Sequence, residues 1–367
     1  KFKLEKLQRE LIRKNGFTWA RNVYWGNLKS PFKGHNPDWT TKAALEFIEE
    51  HKDEPFYLHC CSTLLHGPNG EWFKSLMEKE LVTGEGYLGK PLGLIDRESV
   101  WKRIQKAGLT EAEAGYLWMD DSLGLILDKL DALKIADNTI VVFVSDHGSE
   151  RKGSLIKTRG TEIPCLIRWP KVIPAGSVSH GLFQNTDFVP TWFELAGAKV
   201  PEDYRIDGKS LLPMFRDPRV SVREFVYAEQ GPGRSIKTKD WEYVSLRFTD
   251  EQIASANGKR SERAFKSFLG LSGGISRAKD FHPGTFSADQ LYNLVEDPDS
   301  QNNLAGERAQ AGQLRKMKRR LTAMVRNLGD RPYGDFVPGE GTNDATASQK
   351  VLDKLSAYHR ATGKSRN

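Results

Sequence analysis

Three cysteines in 367 residues, two of them adjacent, are too few and too unevenly spaced for a disulfide framework. Cys60, Cys61 and Cys165 therefore leave the redox compartment unread, and Cys60 and Cys61 are expected as small packing residues of a strand. No apolar run approaches the ~20 residues needed to cross a bilayer, so no membrane span is expected. Acidic residues fall short of basic ones, 48 against 55, but the resulting net charge of +7 is mild for this length. Much of the excess lies in the last third, at Lys316, Lys318, Arg319 and Arg320 among others. It reads first as a solvated helix face and second as a field that favours anionic substrates. No groove-reading motif or interleaved basic and aromatic module accompanies it, so nucleic acid is not an expected partner. What the chain does have is 38% hydrophobic content, enough to fill a core, and a length that predicts about two domains.

One junction carries more chemistry than the rest. Residues 139–145 form an unbroken apolar and β-branched run that ends directly on Asp146-His147-Gly148. Such a run predicts a buried parallel strand, and ligands of open α/β sheets bind beyond the carboxyl ends of their strands. Asp146 and His147 are therefore candidate ligands of a divalent metal. A carboxylate suits Ca²⁺ or Mg²⁺ and an imidazole suits Zn²⁺ or Mn²⁺, so the pair leaves the ion open. The same dipeptide also fits a plain turn, with Asp146 accepting backbone hydrogen bonds and Gly148 at positive φ.

Helices and strands alternate along the first part of the chain. Asp38 is expected to cap a helix whose apolar face is Trp39, Ala43, Ala44, Phe47 and Ile48, and Pro55 then opens a strand over 56–62 that leads to His66. Thr110 is expected to cap a longer helix bearing Leu117, Leu123, Ile126, Leu127, Leu130 and Leu133, followed by the 139–145 strand. The repeated helix-then-strand unit predicts an α/β fold with a mostly parallel sheet flanked by helices. Between the units, residues 82–98 read as a long Gly-rich surface loop suited to substrate contacts. Beyond Phe215, strand-like runs at 224–228, 241–248 and 290–295 and a helix over 307–328 predict a smaller carboxyl-terminal α+β subdomain with a short antiparallel sheet. The predicted division is 1–220, 221–330, and an extended tail over 331–367.

Lys152 follows Asp146-His147 in Arg151-Lys152-Gly153-Ser154, and a second apolar run ends on Ile167-Arg168-Trp169-Pro170. In this order and spacing the chain resembles the formylglycine-dependent sulfatases of the alkaline phosphatase superfamily. The resemblance extends to Leu65-His66-Gly67-Pro68 after a strand, Asp187-Phe188-Val189-Pro190-Thr191, Ile206-Asp207-Gly208-Lys209-Ser210-Leu211-Leu212-Pro213, and Leu291-Tyr292-Asn293-Leu294. It covers roughly residues 16–305.

The resemblance implies hydrolysis of an aryl or carbohydrate sulfate ester. It implies one divalent metal, usually Ca²⁺, held in part by Asp146 and His147, with Lys152 as a sulfate-binding cation and His66 as a sulfate contact or leaving-group acid. Arg234 and His282, in loops where the small subdomain would approach the crevice, are further candidates for substrate contact. A periplasmic or extracellular location is implied as well. The family's nucleophile, a formylglycine made within Cys/Ser-x-Pro/Ala-x-Arg, has no counterpart here, and neither do its paired amino-terminal aspartates. Both are expected in an absent front portion, so the chain alone is expected to be inactive. The segment through Lys157-Thr158-Arg159-Gly160 departs from the family's pattern. Two alternatives stand beside this reading: a phosphatase or phosphonate monoester hydrolase of the same superfamily, and a noncatalytic protein that binds sulfated glycans.

Overall fold

The computed structural model describes residues 3–24, 34–66, 70–80, 82–87, 89–148, 160–258, 282–328 and 345–362. They form two compact units, one spanning Lys1–Ile140 with Trp169–Lys171 and the other Val141–Arg168 with Val172–Asn367. This division falls at 140, where the sequence reading places its boundary at 220. No described helix is long and apolar enough to cross a membrane.

The first unit contains α1 (Lys3–Lys14), α2 (Pro37–Glu50), α3 (Gly70–Leu76), the two-residue strands β1 (Val82–Thr83) and β2 (Gly86–Tyr87), α4 (Arg97–Lys106) and α5 (Ala114–Ala132). The apolar face expected for α2 is buried at Trp39, Ala43, Ala44, Phe47 and Ile48, and α2 packs on α5. Its first turn differs from expectation. Asn36 occupies the cap position, Pro37 opens the helix, and Asp38 lies within the first turn, fully buried. Thr110 does cap as expected: it forms a reciprocal capping box with Glu113, at the start of a short 3₁₀ turn that runs into α5. Of the apolar positions expected on α5, Leu130 is buried and the others are half-buried. The Gly-rich stretch after 82 holds the β1–β2 hairpin, and Asp96 caps α4 by accepting from the Ser99 amide at 3.1 Å.

In the second unit, β3 (Val141–Val144) pairs with β4 (Cys165–Arg168), and the pairing is antiparallel. Every strand pair among the described residues is antiparallel, and the expected parallel core is not formed among them. Alternating helices and strands give the order of elements but not which strands become neighbours. The stretch 56–62, expected as a strand of that sheet, is in no helix or strand. Cys60 and Cys61 are accordingly exposed, not packed.

After α6 (Phe188–Leu195) and α7 (Leu212–Arg216) comes a four-stranded antiparallel sheet in the order β5 (Val226–Gln230), β6 (Gly233–Lys237), β7 (Trp241–Leu246), β8 (Asp289–Asn293). Helix α8 (Asp250–Gly258) follows β7; α9 (Ala311–Asn327) and α10 (Ala345–Thr362) close the chain. Alternation along β7 assigns the two faces of the sheet. Tyr243 joins Ile236 and Leu291 beneath Met317, Leu321 and Val325 of α9, whereas Val244 and Leu246 meet Val351, Leu352 and Leu355 of α10. Strands β5, β7 and β8 and helix α9 fall on runs that the sequence reading marks, β6 is a fourth strand it does not, and α10 lies where an extended tail is expected.

Two polar knots brace this unit. The Asp187 carboxylate, with no exposure, takes Arg223 Nε at 2.7 and 3.0 Å, the Gln184 amide at 2.8 Å and the Lys209 amide at 2.7 Å. Thr191 Oγ1 donates to the Asp187 carbonyl and accepts from the Leu211 amide. Gly208 lies against the same knot: a Cβ there would be 2.1 Å from the Thr186 carbonyl oxygen and 2.8 Å from Pro190 Cδ. Because the obstacle is backbone, Gly208→Ala is expected to lower stability by about 1–3 kcal/mol, read as a lower urea midpoint at unchanged m-value.

The second knot is centred on Asp289, which accepts from Arg247 Nη2 at 2.6 Å and Tyr243 Oη at 2.7 Å and pairs with Lys318. Burial alone would raise its carboxyl pKa, but Arg247, Lys318 and Tyr243 outweigh that and hold it below the usual range. A carboxylate with a depressed folded-state pKa contributes stability above its unfolded pKa and loses it as pH falls through the folded value. Urea midpoints measured from pH 7 down to pH 3 are therefore expected to fall more steeply for the wild type than for Asp289→Asn, which has no such carboxylate to titrate.

Candidate functional site

Asp146 and His147 lie immediately past the carboxyl end of β3, in a bend, as the sequence predicts. The strand end is fixed by the Ser145 amide donating to the Pro164 carbonyl at 3.2 Å and Ser145 Oγ donating to the His147 carbonyl at 2.8 Å. The Gly148 amide reaches the Gly160 carbonyl at 3.3 Å. Within the bend, His147 Nε2 stands 3.4 Å from Asp146 Oδ2, and His147 Nδ1 is 3.1 Å from the Gly148 carbonyl oxygen.

These contacts bear on the plain-turn alternative. The Asp146 carboxylate accepts no backbone hydrogen bond from a described residue, and its side chain is 84% exposed. Gly148 is not in the positive-φ region. A carboxylate and an imidazole nitrogen thus converge at the strand end with the carboxylate available to a ligand. They fit a divalent cation as two of its ligands, short of the four that zinc takes and the six or more that calcium takes. No cluster of three or more metal-binding side chains is formed among the described residues.

His66 belongs to the first unit. Its amide donates to the Thr63 carbonyl at 3.0 Å, and its own carbonyl accepts from Trp72 Nε1 at 2.9 Å, so the backbone of this loop is held at both sides. A residue that sequence reasoning missed contributes to the same loop: buried His35 places Nδ1 3.1 Å from Thr63 Oγ1 and donates its amide to Ser75 Oγ. Its only local signal was Gly34-His35-Asn36-Pro37 before α2. Lys152, with Arg151, Lys157 and Arg159, lies outside the described residues.

Arg234 is placed differently from expectation. Arg234 is in strand β6, not a loop, and is 2% exposed, with Nη1 donating to the Gly231 and Gly233 carbonyls and Nε 3.2 Å from Glu229. Strand β6 is buried from Gly233 to Ile236, because helices cover both faces of the sheet, and the polar sequence Gly-Arg-Ser-Ile-Lys hid the strand. His282 is buried before a short 3₁₀ turn, its carbonyl accepting from the Thr285 amide and hydroxyl.

The Sulfatase family profile matches residues 9–198, just over half of the chain and including Asp146, His147, Lys152 and His66. The chain belongs to the sulfatase family. Among its relatives, an "ulvan-active sulfatase" of Formosa agariphila is 34% identical over 189 residues, covering 48% of this chain and 35% of that protein. An "N-acetylglucosamine-6-O-sulfatase" of Bacteroides thetaiotaomicron is 28% identical, covering 62% and 36%. The chain thus spans about a third of the length of these relatives. A solved structure bound to D-glucosamine-2-N,6-O-disulfate shares the fold, at TM-score 0.53 and 19% identity, over 82% of this chain and 72% of that one.

Proposed function

We propose that this chain is part of a sulfuric-ester hydrolase that releases sulfate from a sulfated carbohydrate. The observation that carries the proposal is the exposed Asp146-His147 pair at the end of β3, inside the stretch that matches the sulfatase family. The names of the relatives favour sulfate over phosphate esters, and those of the two quoted above favour carbohydrate over aryl esters.

In this reading Asp146 and His147 are two ligands of one divalent metal, with Ca²⁺ as the ion of first choice. The metal, when bound, would polarise a sulfate oxygen as a Lewis acid. Lys152 would neutralise charge on the peripheral sulfate oxygens, and His66 would contact sulfate or protonate the leaving oxygen. Sulfate-ester cleavage builds negative charge on those same oxygens, so a fixed cation and a proton donor lower the barrier where the charge appears. Turnover also needs the family's formylglycine, for which these 367 residues contain no Cys/Ser-x-Pro/Ala-x-Arg stretch. Polymeric sulfated glycans are met outside the cytoplasm, and a periplasmic or extracellular setting goes with the proposal.

The test is sulfate release. The longest reading frame that contains this chain is co-expressed with a formylglycine-generating enzyme and assayed on an aryl sulfate and on sulfated sugars, with Ca²⁺ and with a chelator. Metal-dependent release of inorganic sulfate is expected. Binding of sulfated glycans with no turnover in any metal would favour the noncatalytic alternative.

A further inference from the structure

From residue 308 to residue 326 the chain carries seven cations and no carboxylate: Arg308, Arg315, Lys316, Lys318, Arg319, Arg320 and Arg326. That local excess equals the net charge of the whole protein, +7. Other helices interleave opposite charges at the helical spacing that lets them pair, as in Arg9–Glu5 on α1, Lys42–Glu46 on α2 and Lys102–Glu98 on α4. Helix α9 has no acid with which to do this.

Packing sorts its cations into two sets. The buried stripe of Met317, Leu321 and Val325 turns one face onto the sheet. Lys318 and Arg320 flank that stripe, and each finds a carboxylate on a neighbouring segment, Asp289 and Glu224. Arg315, Lys316 and Arg319 are exposed, and none of them pairs with a carboxylate among the described residues. Arg315 and Arg319 stand about one helical turn apart, about 6 Å along the axis, with Lys316 beside them. Like charges this close repel, so the arrangement is favoured by a polyanion that bridges them.

We infer that this outer face of α9 is a docking surface for a sulfated polysaccharide, separate from the Asp146-His147 pair. The choice of occupant rests on the sulfatase reading and on charge complementarity. Sulfate esters keep their charge at every physiological pH, and an extended chain of them presents anions at regular intervals to cations fixed on a helix. Nucleic acid fits less well, because single-strand recognition uses aromatic stacking platforms and α9 has no aromatic residue. A surface of this kind would hold a polymeric substrate on the protein between cleavage events and raise its local concentration.

The experiment uses the 367-residue chain, immobilised heparin and, as solution competitors, chondroitin sulfate, hyaluronan and duplex DNA. The variant is Arg315→Glu/Lys316→Glu/Arg319→Glu, whose thermal unfolding and circular dichroism are compared with the wild type. Retention of the wild type on heparin is expected, with displacement by chondroitin sulfate but not by the unsulfated hyaluronan. The triple variant is expected to bind at least tenfold more weakly, with a salt dependence shallower by roughly two to three contacts. Wild-type affinity in the folded variant overturns the inference, and so does displacement by duplex DNA at charge concentrations equal to those of chondroitin sulfate. Binding is read without turnover. A heparin-binding chain whose longer reading frame releases no sulfate counts against the hydrolase alone, and an active hydrolase indifferent to the triple variant counts against this surface alone.

Discussion

Asp187→Asn is expected to lower stability by about 3–5 kcal/mol. The substitution keeps shape and volume and removes only charge, so it leaves the Arg223 guanidinium, 9% exposed, without its counter-ion. Two backbone amides, of Gln184 and Lys209, would face a neutral amide that presents one acceptor in place of two. The loss should appear as a shift in urea midpoint, and Arg223→Lys should recover little of it. Lysine is a point charge, and here a planar fork spans both carboxylate oxygens while also donating to the Asp207 carbonyl. An Asp187→Asn protein within 1 kcal/mol of wild type would mean that the pair is solvated and that the knot is not what holds residues 184–223 together.

Asp146→Ala, placed in the longest reading frame that contains the chain, is expected to cut kcat for sulfate release by about 10²–10³-fold. The side chain is 84% exposed and makes no hydrogen bond with a described residue, so its removal should leave thermal stability unchanged. That separation is the useful feature of the variant. A structural aspartate would lose stability together with activity, whereas a ligand loses activity alone, and raising the metal concentration should restore part of it. His147→Ala should behave in the same direction with a small stability cost, since its ring is half-buried against the Gly148 carbonyl.

Particular residues show how far the sequence reaches. The position of Asp146 and His147 past a strand end was readable because an apolar run and the polar pair that ends it are contiguous, and a strand carries the residues next to it to its own end. The face of α2 and the Thr110 cap were readable for the same reason: their signals are local in the sequence. Partners distant in sequence were not. Nothing local marks Arg223 as the mate of Asp187, 36 residues away, or His35 as the support of Thr63, 28 residues away. Strand β6 was hidden because its inward residues include Arg234, whose charge is absorbed by the carbonyls of its own hairpin. Strand pairing was not legible either: the alternation of elements was, but neighbours in a sheet are chosen by tertiary contacts, and the described strands pair antiparallel.

The central claim is that the carboxylate and imidazole at the end of β3 hold the metal of a sulfate-ester hydrolase. Inorganic sulfate released from a sulfated sugar, compared between the formylglycine-bearing wild type and its Asp146→Ala/His147→Ala counterpart at saturating Ca²⁺, tests it most directly. Release by the wild type with loss of at least 10²-fold in the double variant, at equal thermal stability, is the expected result. Equal rates in the two proteins would contradict it.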